Sequence, residues 1–368
     1  MIHYDIVVRR ILLLARELGL GGTERQLAET ALALDRAKFE PHVGCFSSGG
    51  FRSNELRDAG VPILELDVRS FVSASLPAGA RRLGAYLRSQ RIELVHAFDV
   101  PADLFAVPAA RFYRAPVVLS SQRASRALTP GITRRLLRAT DRLAHGIVVN
   151  SKAVARELVS EDGVPEAKIR LVYNGVDTAH FRREGARAEL VLPAGSVVIG
   201  VVCALRPEKG LRVLIEAFAK VRAYHREAQL AIVGSGPMLG ELQAAAGDGC
   251  HFYPAVQDVA PWLRAIDVFV LPSLSEALSN SLMEAMACGC CPVASNVGGN
   301  PELVYEGESG LLFPAGDATN LAERLERLVR DAALRHRLAA NAEARMHTQF
   351  ARATAAKRMG EVYLEFLP

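Results

Sequence analysis

Two glutamates, Glu276 and Glu284, stand eight residues apart in SEALSNSLMEAMACG, residues 275–289. Ser279 and Asn280 between them are good helix N-cap residues, and the apolar run that follows reads as a helix. The first amides of such a helix, from Ser279 to Leu282, favour an anion such as a diphosphate. Eight helical residues rise about 12 Å, similar to the length of a sugar nucleotide. One carboxylate can then hold ribose hydroxyls while the other holds a sugar. The ordinary alternative is a loop charge followed by a solvated helix residue, and the pair alone leaves both open.

Other candidates sit where apolar runs end. Arg206 and Lys209 in RPEKG follow VVIGVVCAL, and two cations at a strand's carboxyl end suit a diphosphate. A diphosphate that leaves gains negative charge in the transition state, which such cations stabilise. A polar turn explains the same residues. Gly19-Leu20-Gly21-Gly22 lets a backbone approach a phosphate, or merely turns the chain. It lacks the dinucleotide spacing, so a nicotinamide reading is weak. The glycines of VGSGP, residues 233–237, read as a structural turn. His96 and Asp99 in VHAFD end another apolar run, and Arg123 in SSQRAS ends a third. His96 either contacts an acceptor or is a hydrogen-bonded histidine beneath the site. Arg134, Arg138 and Arg142 share a helical stripe, with Arg135 beside it. It is either a solvated face or a rest for anionic lipid.

What must position these residues is a repeated pattern of apolar run, turn and amphipathic helix. RILLLA, HVGCFS, ELVHAF, PVVLSS and GIVVNS read as strands in the first half; VVIGVVCAL, LAIVG, VFVLPS, CPVAS and GLLFPA do so in the second. The alternation predicts βαβ units, hence an α/β protein with two doubly wound parallel sheets. The series breaks over residues 174–196, which places a first domain at 1–185 and a second at 186–350. Ligands of such sheets bind beyond the carboxyl ends of the strands. Two sheets facing a cleft would share one ligand.

The 368 residues are half apolar, enough for two cores. Residues 1–185 carry 27 Lys/Arg against 20 Asp/Glu, and the remainder 17 against 20. A basic front half suits an anionic partner, but without interleaved aromatics it argues against nucleic acid. Six cysteines, three of them in CGCC, fit neither a zinc spacing nor a disulfide framework, and buried reduced thiols are expected. ILLLA after Arg9 and Arg10 is too short for a signal or a span. A cytoplasmic protein follows as the expectation, at most peripheral on a membrane.

In this order the pieces resemble family 4 of the retaining glycosyltransferases, with the two-domain GT-B fold. The resemblance runs over nearly the whole chain and is most specific at residues 258–317. Glu276 and Glu284 match the family's E-x7-E motif, LRPEKG its phosphate-binding Arg and Lys, LGLGGTERQLAE its front glycine loop, and VYNGVDTAHF the segment entering its hinge.

The resemblance implies a role for each residue. Arg206 and Lys209 bind the donor diphosphate, Glu284 the ribose and Glu276 the donor sugar. Backbone amides of Leu278, Ser279 and Asn280 touch sugar or phosphate. Gly21 and Gly22 approach the diphosphate, and Val256 meets the base. The final helix, 351–368, crosses back onto the first domain. No metal and no separate cofactor is implied; the donor is a nucleotide diphosphate sugar, UDP- or GDP-linked. The acceptor is a hydroxyl of a glycan or lipid-linked molecule, as in polysaccharide or lipopolysaccharide assembly. Members often carry His-x-His at the VHAF position; here Phe98 stands second, which leaves His96, Asp99 and Arg123 as acceptor-side candidates. Two rival readings remain: a nucleotide-sugar epimerase on the same fold and a non-catalytic sugar-nucleotide-binding scaffold.

Overall fold

Apolar runs closed by turn residues become parallel strands in a computed structural model that describes residues 8–368. The chain forms two compact units. One holds the residues up to Gly175 together with Arg352–Pro368, and the other holds Val176–Ala351.

The first unit contains β1 (Arg9–Ala15), β2 (Phe39–Cys45), β3 (Ile63–Glu65), β4 (Leu94–Ala97), β5 (Val117–Gln122), β6 (Gly146–Val149) and β7 (Ile169–Leu171). They form a parallel sheet in the order β3-β2-β1-β4-β5-β6-β7. Both faces are covered, so β1 is apolar throughout. Ile11, Leu13 and Ala15 point into one core, while Leu12 and Leu14 point into the other. Each such leucine contributes about 1.5–3 kcal/mol of burial. The helix Arg352–Phe366 belongs to this unit, because Met359, Val362 and Tyr363 fill the same core as Ile11 and Leu13.

The second unit contains β8 (Val197–Val202), β9 (Ala228–Val233), β10 (Cys250–Tyr253), β11 (Val268–Leu271), β12 (Cys291–Ser295) and β13 (Leu311–Phe313). Their order is β10-β9-β8-β11-β12-β13. The chain reverses its direction of winding between β1 and β4 in one sheet and between β8 and β11 in the other. Loops leaving these strand pairs diverge and open a crevice at their carboxyl ends.

Three strands escape the sequence pattern: β3, β7 and β10. Each lies at the edge of its sheet and is only partly buried, so none needs a continuous apolar run. The change of unit falls at Gly175–Val176. The Val176 N–H donates to the Phe350 carbonyl at 2.8 Å, and Arg264 donates to the carbonyls of His180, Arg182 and Ala186. These bonds fasten 176–186 to the second unit. The six cysteines are free; Cys203 and Cys250 are half-buried and the other four are buried. Burial pushes the Cys203, Cys288 and Cys291 thiols up to about 12. Among the described residues no helix is long and apolar enough to cross a membrane.

Candidate functional site

In the second unit the predicted donor residues converge where β8 and β11 separate. Arg206-Pro207-Glu208-Lys209-Gly210 follows β8 as one turn of 3-10 helix, started by Pro207 and ended by Gly210. Gly210 has φ +65° and lies against the Pro272 carbonyl, where a side chain would collide. The Leu274 N–H donates to the Glu208 carbonyl at 2.8 Å and stitches this turn to the loop after β11.

That stitching brings two side chains together across 67 residues: Lys209 Nζ lies 2.5 Å from Glu276 Oε1. The side chains are 23% and 11% exposed, so the pair is shielded on most sides but open on one. Ser273 Oγ donates to the same carboxylate oxygen at 2.9 Å. An ammonium has three donors, so Lys209 can keep Glu276 and still donate to a phosphate. Arg206 is exposed, and its side chain has no hydrogen bond or ion pair among the described residues. A charge held open beside a half-shielded ion pair is an arrangement that accepts an anion.

The helix Asn280–Ala287 begins as expected, with Ser279 as its N-cap. The Leu282 amide, however, is already taken by Ser279 Oγ at 3.3 Å. Ser279 and Leu278 are buried, and Asn280 is half-buried. Glu284 is 5% exposed, so it is not the solvated helix glutamate of the plain alternative. Val256 is half-buried in the loop after β10.

Sequence reasoning passed over the supports of this site. Ser295 Oγ donates to the Ser273 carbonyl at 2.6 Å, and Asn300 Nδ2 to the Ser295 carbonyl at 3.0 Å. Gly298, at φ +52°, lies directly under the Glu276 carbonyl. The glycine pair in NVGGNPE was the available signal; its partner was not visible.

In the first unit the candidates are placed differently. Gly21 is the N-cap of the helix Gly22–Ala33, and the Glu24 carboxylate folds back against it. Burial raises the Glu24 carboxyl above its ordinary range. His96 is 0% exposed: Nδ1 is 2.8 Å from Tyr363 Oη and Nε2 is 2.8 Å from Ser121 Oγ. Burial first, then the nearby Arg123 charge, holds its pKa well below the usual value. His96 ties β4 to β5 and to the final helix. Asp99 is equally occupied. It caps the helix Val100–Phe112 through the Ala102 amide and accepts from the Arg16 amide, both at 2.7 Å.

Arg123 is the candidate left with capacity. Its Nη1 donates to Asn174 Oδ1 at 2.8 Å, and the guanidinium stacks on Phe98 at 4.8 Å. No carboxylate pairs with it among the described residues, and its Nε has no partner. Burial lowers its pKa to about 10, so it stays charged at neutral pH. The arginine stripe, by contrast, is partly paired. Arg134 and Arg138 each lie 2.8 Å from the shielded Asp162 carboxylate.

Comparison with known proteins agrees with this architecture. Residues 20–180 match the family described as Glycosyltransferase Family 4, and residues 196–331 the family described as Glycosyl transferases group 1. A D-inositol 3-phosphate glycosyltransferase of Arthrobacter sp. is 34% identical over 203 residues, covering 51% of this chain and 48% of that protein. The chain spans about half the length of the curated relatives it matches. Among solved structures, Anabaena Alr3699/HepE in complex with UDP superposes with a TM-score of 0.83 at 21% identity, covering 97% of this chain and 100% of that one. The same Anabaena protein is also known in complex with UDP-glucose. Sucrose-phosphate synthase from Thermosynechococcus elongatus has a TM-score of 0.83 at 23% identity, covering 97% and 98%. These likenesses extend over both units and establish the GT-B fold. The first part of the chain thus matches the family 4 glycosyltransferases and the second part the group 1 glycosyl transferases.

Proposed function

We propose that the chain transfers a hexosyl unit, with retention, from a UDP-linked sugar to a hydroxyl of an anionic acceptor. The observation that carries this reading is the Lys209–Glu276 pair with Arg206 open beside it, at the carboxyl ends of β8 and β11. On this reading Arg206 and Lys209 bind the diphosphate and stabilise its charge as the sugar–phosphate bond breaks. Glu276 accepts from hydroxyls of the donor sugar, and Glu284 from the ribose. Main-chain groups of Leu278, Ser279 and Asn280 contact sugar or phosphate, and Val256 lies by the base. In the first unit Gly21 and Gly22 open the helix that follows β1.

UDP and UDP-glucose are ligands of the Anabaena neighbour, and a phosphorylated cyclitol is named for the relatives; both support the choice. Arg123, charged and without a carboxylate partner among the described residues, suits an acceptor phosphate, free or lipid-linked. The departing phosphate oxygen takes the acceptor proton on the same face. The test is thermal unfolding against UDP, GDP and UDP-glucose, followed by a transfer assay. At 100 times its dissociation constant UDP should add about 2.7 kcal/mol of stability. Arg206→Ala should remove that gain. No gain with any nucleotide, or full transfer by Arg206→Ala, overturns the reading. Nucleotide binding without hydrolysis or transfer would favour the non-catalytic scaffold.

A further inference from the structure

The second unit carries another cationic site at the opposite end of the same strands. Ile266 and Asp267 precede β11, and Cys288 and Gly289 precede β12. Together with Arg183, Arg187, Arg264, Arg335 and His336 they line a cavity of about 100 Å³. Four guanidiniums therefore share this cavity with one carboxylate, that of Asp267, which is already accepting from the Val198 amide at 2.8 Å. Beyond the lining, Glu343 pairs with Arg183 at 3.1 Å.

Two of the arginines have evident structural work. Arg264 fastens the carbonyls of residues 180–186, and Arg183 reaches Glu343 while lying over Gly289. The other two do not. Arg187 is exposed, and its side chain has no partner among the described residues. Arg335 is 9% exposed, has no carboxylate partner among the described residues, and leaves its buried Nε without a hydrogen bond. Its Nη1 alone is satisfied, by the Leu328 carbonyl at 2.5 Å. A buried charge of this kind is costly unless something anionic completes it.

We infer that this cavity binds a phosphate group, separately from the donor site. Its size suits one phosphate, and forked guanidiniums match phosphate oxygens in pairs. The lining runs into Cys288, which closes the helix Asn280–Ala287; the other end of that helix carries Ser279. An occupied cavity therefore abuts the element that forms part of the donor site.

The test is calorimetric titration with inorganic phosphate at constant ionic strength, in the wild type and in Arg206→Ala, which weakens the donor site. One saturable site should persist in Arg206→Ala. Arg187→Glu should weaken that site at least about tenfold, the loss expected on replacing one charge-assisted partner by a repelling one, with UDP affinity unchanged. Arg335→Lys, which keeps the charge but loses the fork, should weaken phosphate as well. Competition by phosphatidylglycerol vesicles would identify the phosphate as a lipid headgroup; competition by a soluble sugar phosphate would identify it as a metabolite. Phosphate binding that is abolished in Arg206→Ala, or identical in Arg187→Glu and wild type, overturns the inference.

Discussion

Lys209 and Glu276 are proposed to do different things, one for the diphosphate and one for the sugar, yet they hold each other at 2.5 Å. A double-mutant cycle with Lys209→Met and Glu276→Gln separates the two jobs. Exposed ion pairs contribute about 0–1 kcal/mol, and breaking a buried one costs about 3–5 kcal/mol. With side chains 23% and 11% exposed, this pair lies between those limits. Each single variant should lose about 2 kcal/mol in denaturant unfolding, and the double variant about the same, a coupling near 2 kcal/mol. UDP binding divides them the other way. Lys209→Met forfeits a charge-assisted hydrogen bond of about 1.5–3 kcal/mol, so UDP should bind roughly 10- to 100-fold more weakly. Glu276→Gln removes a carboxylate that competes for the ammonium and repels the diphosphate. UDP should then bind about fivefold more tightly, equivalent to about 1 kcal/mol, while sugar transfer falls about a hundredfold. Calorimetry and a transfer assay on the same three variants decide it. If Glu276→Gln weakens UDP as much as Lys209→Met does, or if the coupling vanishes, the pair is incidental and the role assignment fails.

Gly298→Ala tests the support of the same carboxylate. The new methyl would meet the Glu276 carbonyl from a positive-φ position, so transfer should fall about tenfold or more in steady-state assays while UDP alone binds within about twofold; unchanged transfer would refute the placement. His96 predicts a pH dependence of stability. Its pKa is lowered in the fold, so the unfolded chain takes up the proton first; stability is complete above about pH 6.5 and falls as pH drops below it. His42 and His145 act with the same sign, whereas the buried Asp103, with its raised pKa, acts with the opposite one. The comparison is therefore with His96→Asn, in which the urea-measured loss between pH 7.5 and 5.5 should shrink by about 1.4 kcal/mol; equal losses would refute it.

The elements that position the site were legible because they are local. LRPEKG after an apolar run, and Ser279 before another, announce a strand end and a helix start whatever the rest of the chain does. Their meeting was not legible. Lys209 reaches Glu276 only because β8 and β11 are neighbours, and strand order is set by packing of whole βαβ units rather than by any short pattern. The same holds for His96, whose partner Tyr363 lies 267 residues away on a helix that returns to the first sheet. Periodicity found the stripe of Arg134, Arg138 and Arg142 but could not supply Asp162, which pairs with two of the three. The edge strands β3, β7 and β10 were missed for a related reason: partial burial leaves them without the apolar run that marks a central strand.

The fate of His96 bears on how the acceptor hydroxyl loses its proton. A general base must lie within hydrogen-bond reach of that proton and be free to take it. His96 is enclosed between Tyr363 and Ser121, and Phe98 occupies the position where a second imidazole would stand. Asp99 spends both oxygens on backbone amides. Arg123, at a pKa of about 10, is a cation at working pH and can hold an anionic acceptor but cannot accept a proton. With these groups removed from contention, the strongest base left to the proposed reaction is the phosphate oxygen that the sugar leaves behind. Arg206 and Lys209 then have a double effect. On the proposed reaction they would stabilise the leaving diphosphate and also lower its basicity, so losing either cation should slow bond breaking more than proton transfer. Retention would follow from the proposed reaction, because the oxygen that accepts the proton lies on the face from which it departed.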